Sequence, residues 1–553
     1  MLQCVVILFF PRARREAGGG GGQDLLLVNF PSHPKKIMKF SLATAFIAAA
    51  QAANIWPLPQ TFTPTVDGGA KLSIAQAFAF VDSNGNAYET SATKRYLRQF
   101  FPHNVDFAGD AQKIEVSIDD EQTDLQLEAD ESYTLDIPSK VTDNIKITAK
   151  SQFGFYHALE SLSQLIEFDF DSEAYFVDNA PIAVVDSPRF QHRGLLIDSS
   201  RHFEPVATIK RVIDSLTFAK LNVLHWHLVD SQSFPFDSPS FPKLASEGAY
   251  SNEERYTTND LKEVVAYAKE RGVRVMVEID TPGHAASWCK GHPEICPDAA
   301  NACNEPLNPA TNATFDLIEG LFNDLTGGER GAGIFPENLM HLGGDEVNTD
   351  CWTNTEAVKN WMDGQGMTED DTYAYFLNRV QSIAKAQGRD VVGWEEIWNH
   401  FGTKLDKSTI IHQWIPGSHV GGNVTAAGYR LIWSTDDKWY LDGLANTFQS
   451  MYESDPTEGI AEGDVHLLLG GEGCMWGETV DTSDIIQTIW PRLGAIAERL
   501  WSDPAQATTA DVAEPRYAEF RCLMNRRGFA AAPHANEVAR NPPGGPGGCL
   551  DQR

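Results

Sequence analysis

Two adjacent carboxylates, Asp345 and Glu346, close the run NLMHLGGDEV at 338–347. Apolar residues, two glycines and then acids are the pattern of a buried strand that ends at a reactive surface. The apolar side chains fill a core, the glycines let the backbone bend closely, and the acids emerge where the strand stops. An exposed acidic turn after an ordinary strand has the same local pattern, so the weight lies in recurrence. In chain order, other strand-like runs end in or near Arg193 and Asp198; His225, His227 and Asp230; Asp280 and His284; Trp394, Glu395 and Glu396; Trp414; Trp439, Tyr440 and Asp442; and Trp476 with Glu478.

Acids and an arginine among tryptophans suit a sugar. Its hydroxyls point outward from the ring edge, where charged groups can bind them, and its faces carry apolar C–H patches on which indoles stack. A single tryptophan is more simply a core residue, but Trp394, Trp414, Trp439 and Trp476 all lie beside polar strand ends. The pair His225-Trp226-His227 raises another chemistry, because alternate strand residues face the same way and two histidines so placed can hold zinc. His284 and His341 could complete such a site. The pair sits inside its apolar run rather than at the end, where Asp230 emerges, and this weighs against a metal. No cofactor is implied.

The elements that must position these groups are read from periodicity. From residue 189, apolar runs at 193–200, 222–230, 273–280, 339–346, 390–396, 409–414, 429–435 and 466–476 alternate with amphipathic stretches such as 206–220, 260–271, 313–325 and 371–387. Eight strands joined by crossovers predict a (β/α)₈ TIM barrel over 189–553, whose active site forms where strand carboxyl ends converge. Near-continuous apolar strands fit burial on both faces. An open doubly wound sheet is the alternative, but no glycine-rich phosphate turn follows the first strand. Residues 54–186 carry the strand-like runs AFAFVD, KIEVSID, YTLDI and NIKITA and a helix at 153–167, with Phe155, Leu159, Leu162, Leu165 and Ile166 at helical spacing. This predicts a smaller α+β domain with a scaffold role.

Seventy-six acidic against 44 basic residues leave a charge of −32, which repels nucleic acid and anionic membranes alike. No apolar run reaches the roughly 18 residues of a membrane span. Residues 1–37 do not read as structure and are expected to be an upstream extension that is not native. Met38 and Lys39 begin a secretory signal over 38–52, with the small-x-small pattern Ala50-Gln51-Ala52. The mature protein is then exported, to an extracellular or a vacuolar or lysosomal destination. Of eight cysteines, Cys4 falls in the extension, and the odd remainder leaves at least one unpaired within the chain, for which the apolar surroundings of Cys474 suggest a buried free thiol. Asn312 and Asn423 stand in glycan acceptor patterns.

These motifs resemble glycoside hydrolase family 20, the β-N-acetylhexosaminidases. The resemblance rests on HRGLLIDSSRHFEP at 192–205, NVLHWHLVDSQSFPF at 222–236, EIDTPGHAASW at 278–288, HLGGDEVNTDCW at 341–352 and GGEGCMWGETVD at 470–481, with NIWPLPQ at 54–60 and SQFGFYHALESLSQL in the smaller domain. It implies hydrolysis of terminal β-linked N-acetylglucosamine or N-acetylgalactosamine, with Glu346 as general acid. The substrate's acetamido oxygen would be the nucleophile, oriented by Asp345 and Tyr440. An enclosed pocket and the neighbouring charge of Asp345 are expected to raise the pKa of Glu346. By the same matching, Arg193 and Glu478 bind outer hydroxyls, Trp394, Trp414 and Trp476 wall the acetamido pocket, and Asp230 and His284 position Glu346. Asp442 lies where family members differ, and no arginine follows it to attract anionic substrates. The resemblance also implies disulfides Cys303–Cys351 and Cys522–Cys549, with Cys289–Cys296 a further pair. Partners would be N-acetylhexosamine-terminated glycans or chitooligosaccharides, with oligomeric state open and a homodimer among the options. A second reading is a carbohydrate-binding protein whose activity is lost, against which Asp345, Glu346 and Tyr440 are all present.

Overall fold

The computed structural model describes residues 54–65, 69–74, 77–103, 112–119 and 124–534. The extension, the signal and Cys549 lie outside these residues. Nine strands come first: β1 (Thr61–Pro64), β2 (Ala70–Ile74), β3 (Phe78–Asp82), β4 (Gln112–Ile118), β5 (Tyr133–Ile137), β6 (Ile145–Ala149), β7 (Glu167–Asp169), β8 (Ala174–Ala180) and β9 (Ile182–Asp186). Six form one sheet in the order β1-β9-β5-β6-β4-β3, and β2, β8 and β7 form another. The four strand-like runs of the sequence are β3 to β6, and the expected helix runs Gln152–Leu165. Twelve of its 14 residues are buried. Phe155, Leu159 and Leu162 pack on the sheet, while Glu160 meets Arg527 and Gln164 meets the Phe218 carbonyl on the barrel side.

The barrel follows: β10 (His192–Asp198), β11 (Val223–Val229), β12 (Arg274–Ile279), β13 (Leu339–His341), β14 (Asp390–Trp394), β15 (Ile410–Gln413), β16 (Leu431–Trp433) and β17 (Leu468–Met475). All eight pair in parallel in sequence order, and β17 closes on β10 with Arg193 opposite Gly471. The expected helical stretches are helices Val206–Thr217, Thr258–Lys269, Asn312–Thr326 and Glu369–Ala386.

Inward-facing residues recur every second position and stack in layers. At the amino-terminal end, Val223, Met276, Leu339, Val392, Ile410, Ile432 and Leu469 form an apolar plug with Leu127 of the smaller domain. Two residues further along the strands, the same alternation places His225, Glu278, His341, Trp394 and His412 inside, all buried. The smaller domain is also locked to this end by charge. Lys220, fully buried, reaches Asp186 at 2.8 Å and the Tyr133 hydroxyl at 2.9 Å.

Disulfides Cys289–Cys296 and Cys303–Cys351 tie the loops beyond β12 and β13, and Cys474 is a buried free thiol. Cys522 is also disulfide-bonded, and the partner expected for it, Cys549, lies outside the described residues. Among the described residues, no helix is long and apolar enough to cross a membrane.

Candidate active site

The turn after β13 is built around a carboxyl group. A Cβ on Gly343, whose φ is +66°, would stand 1.7 Å from Asp280 Oδ1, so only glycine lets the two strand ends meet. The next amide, Gly344 N, donates to that oxygen at 2.9 Å. The chain then passes through Glu346 at φ +49°, and His284, across the pocket, sits at +51°. Left-handed backbone is costly for residues with a side chain and concentrates where function demands it. Here it brings two partners together. His284 Nε2 lies 3.5 Å from both Asp345 Oδ2 and Glu346 Oε2, and its Nδ1 lies 3.3 Å from Asp230 Oδ1.

The charges follow from this geometry. Burial disfavours a charged imidazole at His284, but Asp345, Asp230 and Glu346 outweigh it and hold the ring's pKa far above its usual value. Asp280 is pushed well above the carboxylate range by burial and by Asp345 beside it. Its Oδ2 and Asp345 Oδ1 are buried with no other partner, so one proton on Asp280, shared with Asp345, satisfies both. Glu346 departs from expectation. Its side chain is 61% exposed, and the hydrogen bond from His284 lowers its pKa rather than raising it. The pocket leaves this carboxyl open to solvent, and its nearest charge is the imidazolium.

The walls are aromatic. Trp394 is buried, with its Nε1 donating to Glu278 at 2.8 Å, and Trp414 lies nearly parallel to Tyr440 at 6.3 Å. Trp476 approaches both Trp394 and Tyr440. Trp414 Nε1 donates to Glu396 at 2.8 Å, while Glu395 is consumed in capping the backbone amides of Trp414 and Ile415. Trp439 does not join them. It packs edge-on against Trp433, and its Nε1 bonds the Met451 carbonyl in the core behind the pocket.

Arg193 is likewise misplaced by the sequence pattern. As the second residue of β10 it lies at the barrel's opposite end, fully buried, and makes a bidentate pair with Glu131 of the smaller domain at 2.7 and 2.9 Å. The arginine at the pocket is Arg201, eight positions later and beyond the strand's end. It meets Asp198 and Asp230 at 2.9 Å, lies 3.6 Å from Glu478, and stands over Trp476. The strand length could have distinguished the two, since a residue that opens a strand cannot reach the pocket at its close. Arg193→Met is expected to strip Glu131 of its guanidinium, leaving it only His157 and Asn222, and to lower unfolding free energy by about 3–5 kcal/mol in denaturant titration, with KM of the folded enzyme unchanged.

Asp442 is part-buried, with Oδ1 unpartnered, and burial pushes its pKa up to about 6; the first cause for Glu396, at about 7, is again burial, followed by Asp345. Both bind more protons folded than unfolded between their ordinary values (3.8 and 4.5) and these raised ones, so stability falls as pH rises through that window. His225, raised to about 9 against its burial by Glu472 and Glu278, adds a loss between 6.5 and about 9. Asp230, held well below its usual range against burial by His227 and His284, loses its contribution only in strong acid. The buried histidines His157, His192, His341 and His412, lowered by burial, act the other way below 6.5, so thermal melts are expected to show a Tm that falls between pH 7 and pH 9, where His225 loses its proton. A flat or inverted profile would contradict these assignments.

The family model described as the catalytic domain of glycosyl hydrolase family 20 matches residues 190–504, and one described as beta-acetyl hexosaminidase like matches 55–165. Beta-hexosaminidase 1 of Arabidopsis thaliana is 44% identical over 527 residues, covering 90% of this chain and 94% of its own. The human beta-hexosaminidase subunit beta is 36% identical, over 74% of this chain and 72% of its own. Among solved structures, a Flavobacterium johnsoniae chitobiase superposes with a TM-score of 0.74 at 28% identity, over 87% of this chain and 73% of that one. A pocket of this build, at the carboxyl ends of a parallel barrel and within matches of this extent, leaves one conclusion: the chain belongs to glycosyl hydrolase family 20.

Proposed function

We propose that this protein is a retaining exo-β-N-acetylhexosaminidase that removes terminal, non-reducing β-linked GlcNAc or GalNAc from oligosaccharides and glycoconjugates. The observation that carries the reading is the sharing of one imidazole nitrogen, His284 Nε2, by Asp345 and Glu346 at 3.5 Å each. One carboxylate is tied back to the protonated Asp280 and the other is open to solvent. They are unequal, as two different tasks require.

Glu346 donates its proton to the glycosidic oxygen as that bond breaks. A seated sugar covers the carboxyl and excludes water, which raises its pKa from the depressed value set by His284 alone. The acetamido oxygen attacks the anomeric carbon and gives a bicyclic oxazolinium. Asp345 accepts a hydrogen bond from the acetamido N–H and stabilises its developing charge, while the Tyr440 hydroxyl donates to the acetamido oxygen. Glu346, now a carboxylate, takes a proton from the incoming water, which opens the ring with net retention. Because the nucleophile is tethered to the carbon it attacks, much of the entropic cost is already met. Arg201 and Glu478 bind the outer hydroxyls of the terminal residue. Trp394, Trp414 and Trp476 enclose the acetamido group. Neutral glycans are the preferred class, since Gly443 follows Asp442 and the nearby Arg492 is spent on the Gly443 and Asn446 carbonyls.

An exported, glycosylated protein is supported by the two disulfides and by the exposure of Asn312 and Asn423. An inactive binding protein on this scaffold is not favoured, because acid, orienting carboxylate and tyrosine are all retained. The test is release of nitrophenol from the N-acetyl-β-glucosaminide and not from the plain β-glucoside. Comparable release from both would overturn the proposal.

A further inference from the structure

Below the pocket floor, carboxylates and imidazoles alternate along one line. Glu472 Oε1 bonds His225 Nδ1 at 2.6 Å, and His225 Nε2 lies 3.1 Å from Glu278 Oε2. That oxygen bonds His227 Nδ1 at 2.6 Å, and His227 Nε2 bonds Asp230 Oδ2 at 2.7 Å. Asp230 then meets His284, and His284 meets Glu346. Glu472, His225, Glu278, His227 and Asp230 are at most 1% exposed. Burying this many ionisable groups is expensive unless each charge is matched, and a run of this length in a barrel core calls for a purpose.

Glu278 is the branch point. Its Oε2 faces the line just traced. Its Oε1 accepts the Trp394 indole N–H at 2.8 Å and lies 3.0 Å from His341 Nδ1. The two oxygens of one buried carboxylate thus face the two working parts of the pocket.

We propose that Glu278 is a positioning residue that fixes both arms of the reaction centre, holding the proton-handling arm through His227, Asp230 and His284 and the acetamido wall through Trp394. This role presupposes that the protein is a hexosaminidase.

The charges support it. Burial opposes ionisation of Glu278, but the imidazoles of His341 and His227 outweigh it and hold the carboxyl well below its usual range. His227 is held well above its usual value against the same burial, first by Glu278. With Glu278 charged, His227 keeps a proton on each nitrogen and can donate to Glu278 and Asp230 together. Asp230 is then fixed as the acceptor for His284. The other ionisable groups facing Glu278 leave this bias intact: His225 on β11 is held cationic by Glu472 on β17, and His341 on β13 is lowered by burial. His412 on β15, also lowered by burial, bonds the Ser434 hydroxyl. Without Glu278, His227 loses the partner that holds its second proton, and the line to His284 is no longer set. The indole N–H of Trp394 would be buried without an acceptor.

The test is the pH profile of kcat/KM, with kcat and KM separated, for hydrolysis of nitrophenyl N-acetyl-β-glucosaminide by the full chain. Glu278→Gln keeps the shape and can still accept from Trp394 through its amide oxygen, but carries no charge. It is expected to lower kcat by about 100-fold, with KM within about twofold, because the acid arm loses its geometry while the wall is retained. The alkaline limb is expected to move about one unit toward acid, since removing a nearby negative charge lowers the pKa of the imidazoles and of Glu346 alike. Trp394→Phe removes the indole N–H and thins the wall without changing any charge, and is expected to raise KM several-fold and leave the limb in place. Should Glu278→Gln fail to fold, His227→Gln breaks the same line one position on; it is expected to show the same loss of kcat but, because it removes a cation, a limb moved toward alkali. A folded Glu278→Gln enzyme with wild-type kcat and limb would overturn the proposal, as would an unmoved limb in His227→Gln. A wild-type enzyme indifferent to the acetamido group would instead overturn the functional reading itself.

Discussion

Glu346→Gln is expected to slow glycosidic cleavage by about 10³-fold on glycosides whose leaving oxygen must be protonated, and far less on leaving groups that depart as stable anions. Geometry supplies the reason. Glu346 is the most exposed carboxyl of the cluster, with its side chain 61% open to the pocket, and it is turned there by a left-handed backbone that a non-glycine residue adopts only at a cost. The glutamine keeps volume and polarity, so substrate binding should persist. What disappears is the transferable proton in the first step and the base in the second. Because the second step also needs a base, activated substrates are expected to react and then stall. Stopped-flow measurements should show a burst of released phenol followed by slow turnover. Equal losses in the cleavage step on activated and unactivated substrates would remove Glu346 from the acid role.

Asp345→Asn is expected to cost about 10²–10³ in kcat with little change in KM, since its charge matters most as the acetamido group becomes cationic. Asp280 beside it holds the proton, driven by burial and by Asp345, and Gly344 N anchors Asp280 in place. An amide at 345 still accepts from Asp280 but offers neutral dipoles where the oxazolinium needs a negative charge. Unchanged turnover in this variant would rule out the role assigned to Asp345.

Much of this was legible in the residues. The eight barrel strands announce themselves because burial on both faces makes each a near-continuous apolar run, and the acids at the end of β13 stand out against it. What escaped was information that depends on where a strand begins and ends in space. Arg193 and Arg201 lie in one motif, and only the placement of β10 assigns the first to the smaller domain and the second to the pocket. Trp439 looked equivalent to its neighbours because the loop after β16 turns it into the core. The electrostatics of Glu346 depend on His284 reaching across the pocket, which no local pattern encodes. The helix Ser91–Phe100 also escaped, although Ala92, Tyr96 and Phe100, on its buried face, stand at helical spacing; its short length and polar composition hid the stripe. Glu278 and Glu472 lie within apolar runs, so the partners of His225 and His227 became visible only when β11, β12 and β17 were brought side by side.

The most direct measurement is kcat/KM across nitrophenyl glycosides whose N-acetyl group carries none, one, two or three fluorines. Fluorination weakens the amide oxygen as a nucleophile while leaving its size nearly unchanged. If that oxygen attacks the anomeric carbon, the rate falls steeply and regularly with each fluorine. A rate indifferent to fluorination would mean that a protein group or water makes the attack, and substrate-assisted catalysis would be the wrong mechanism for this protein.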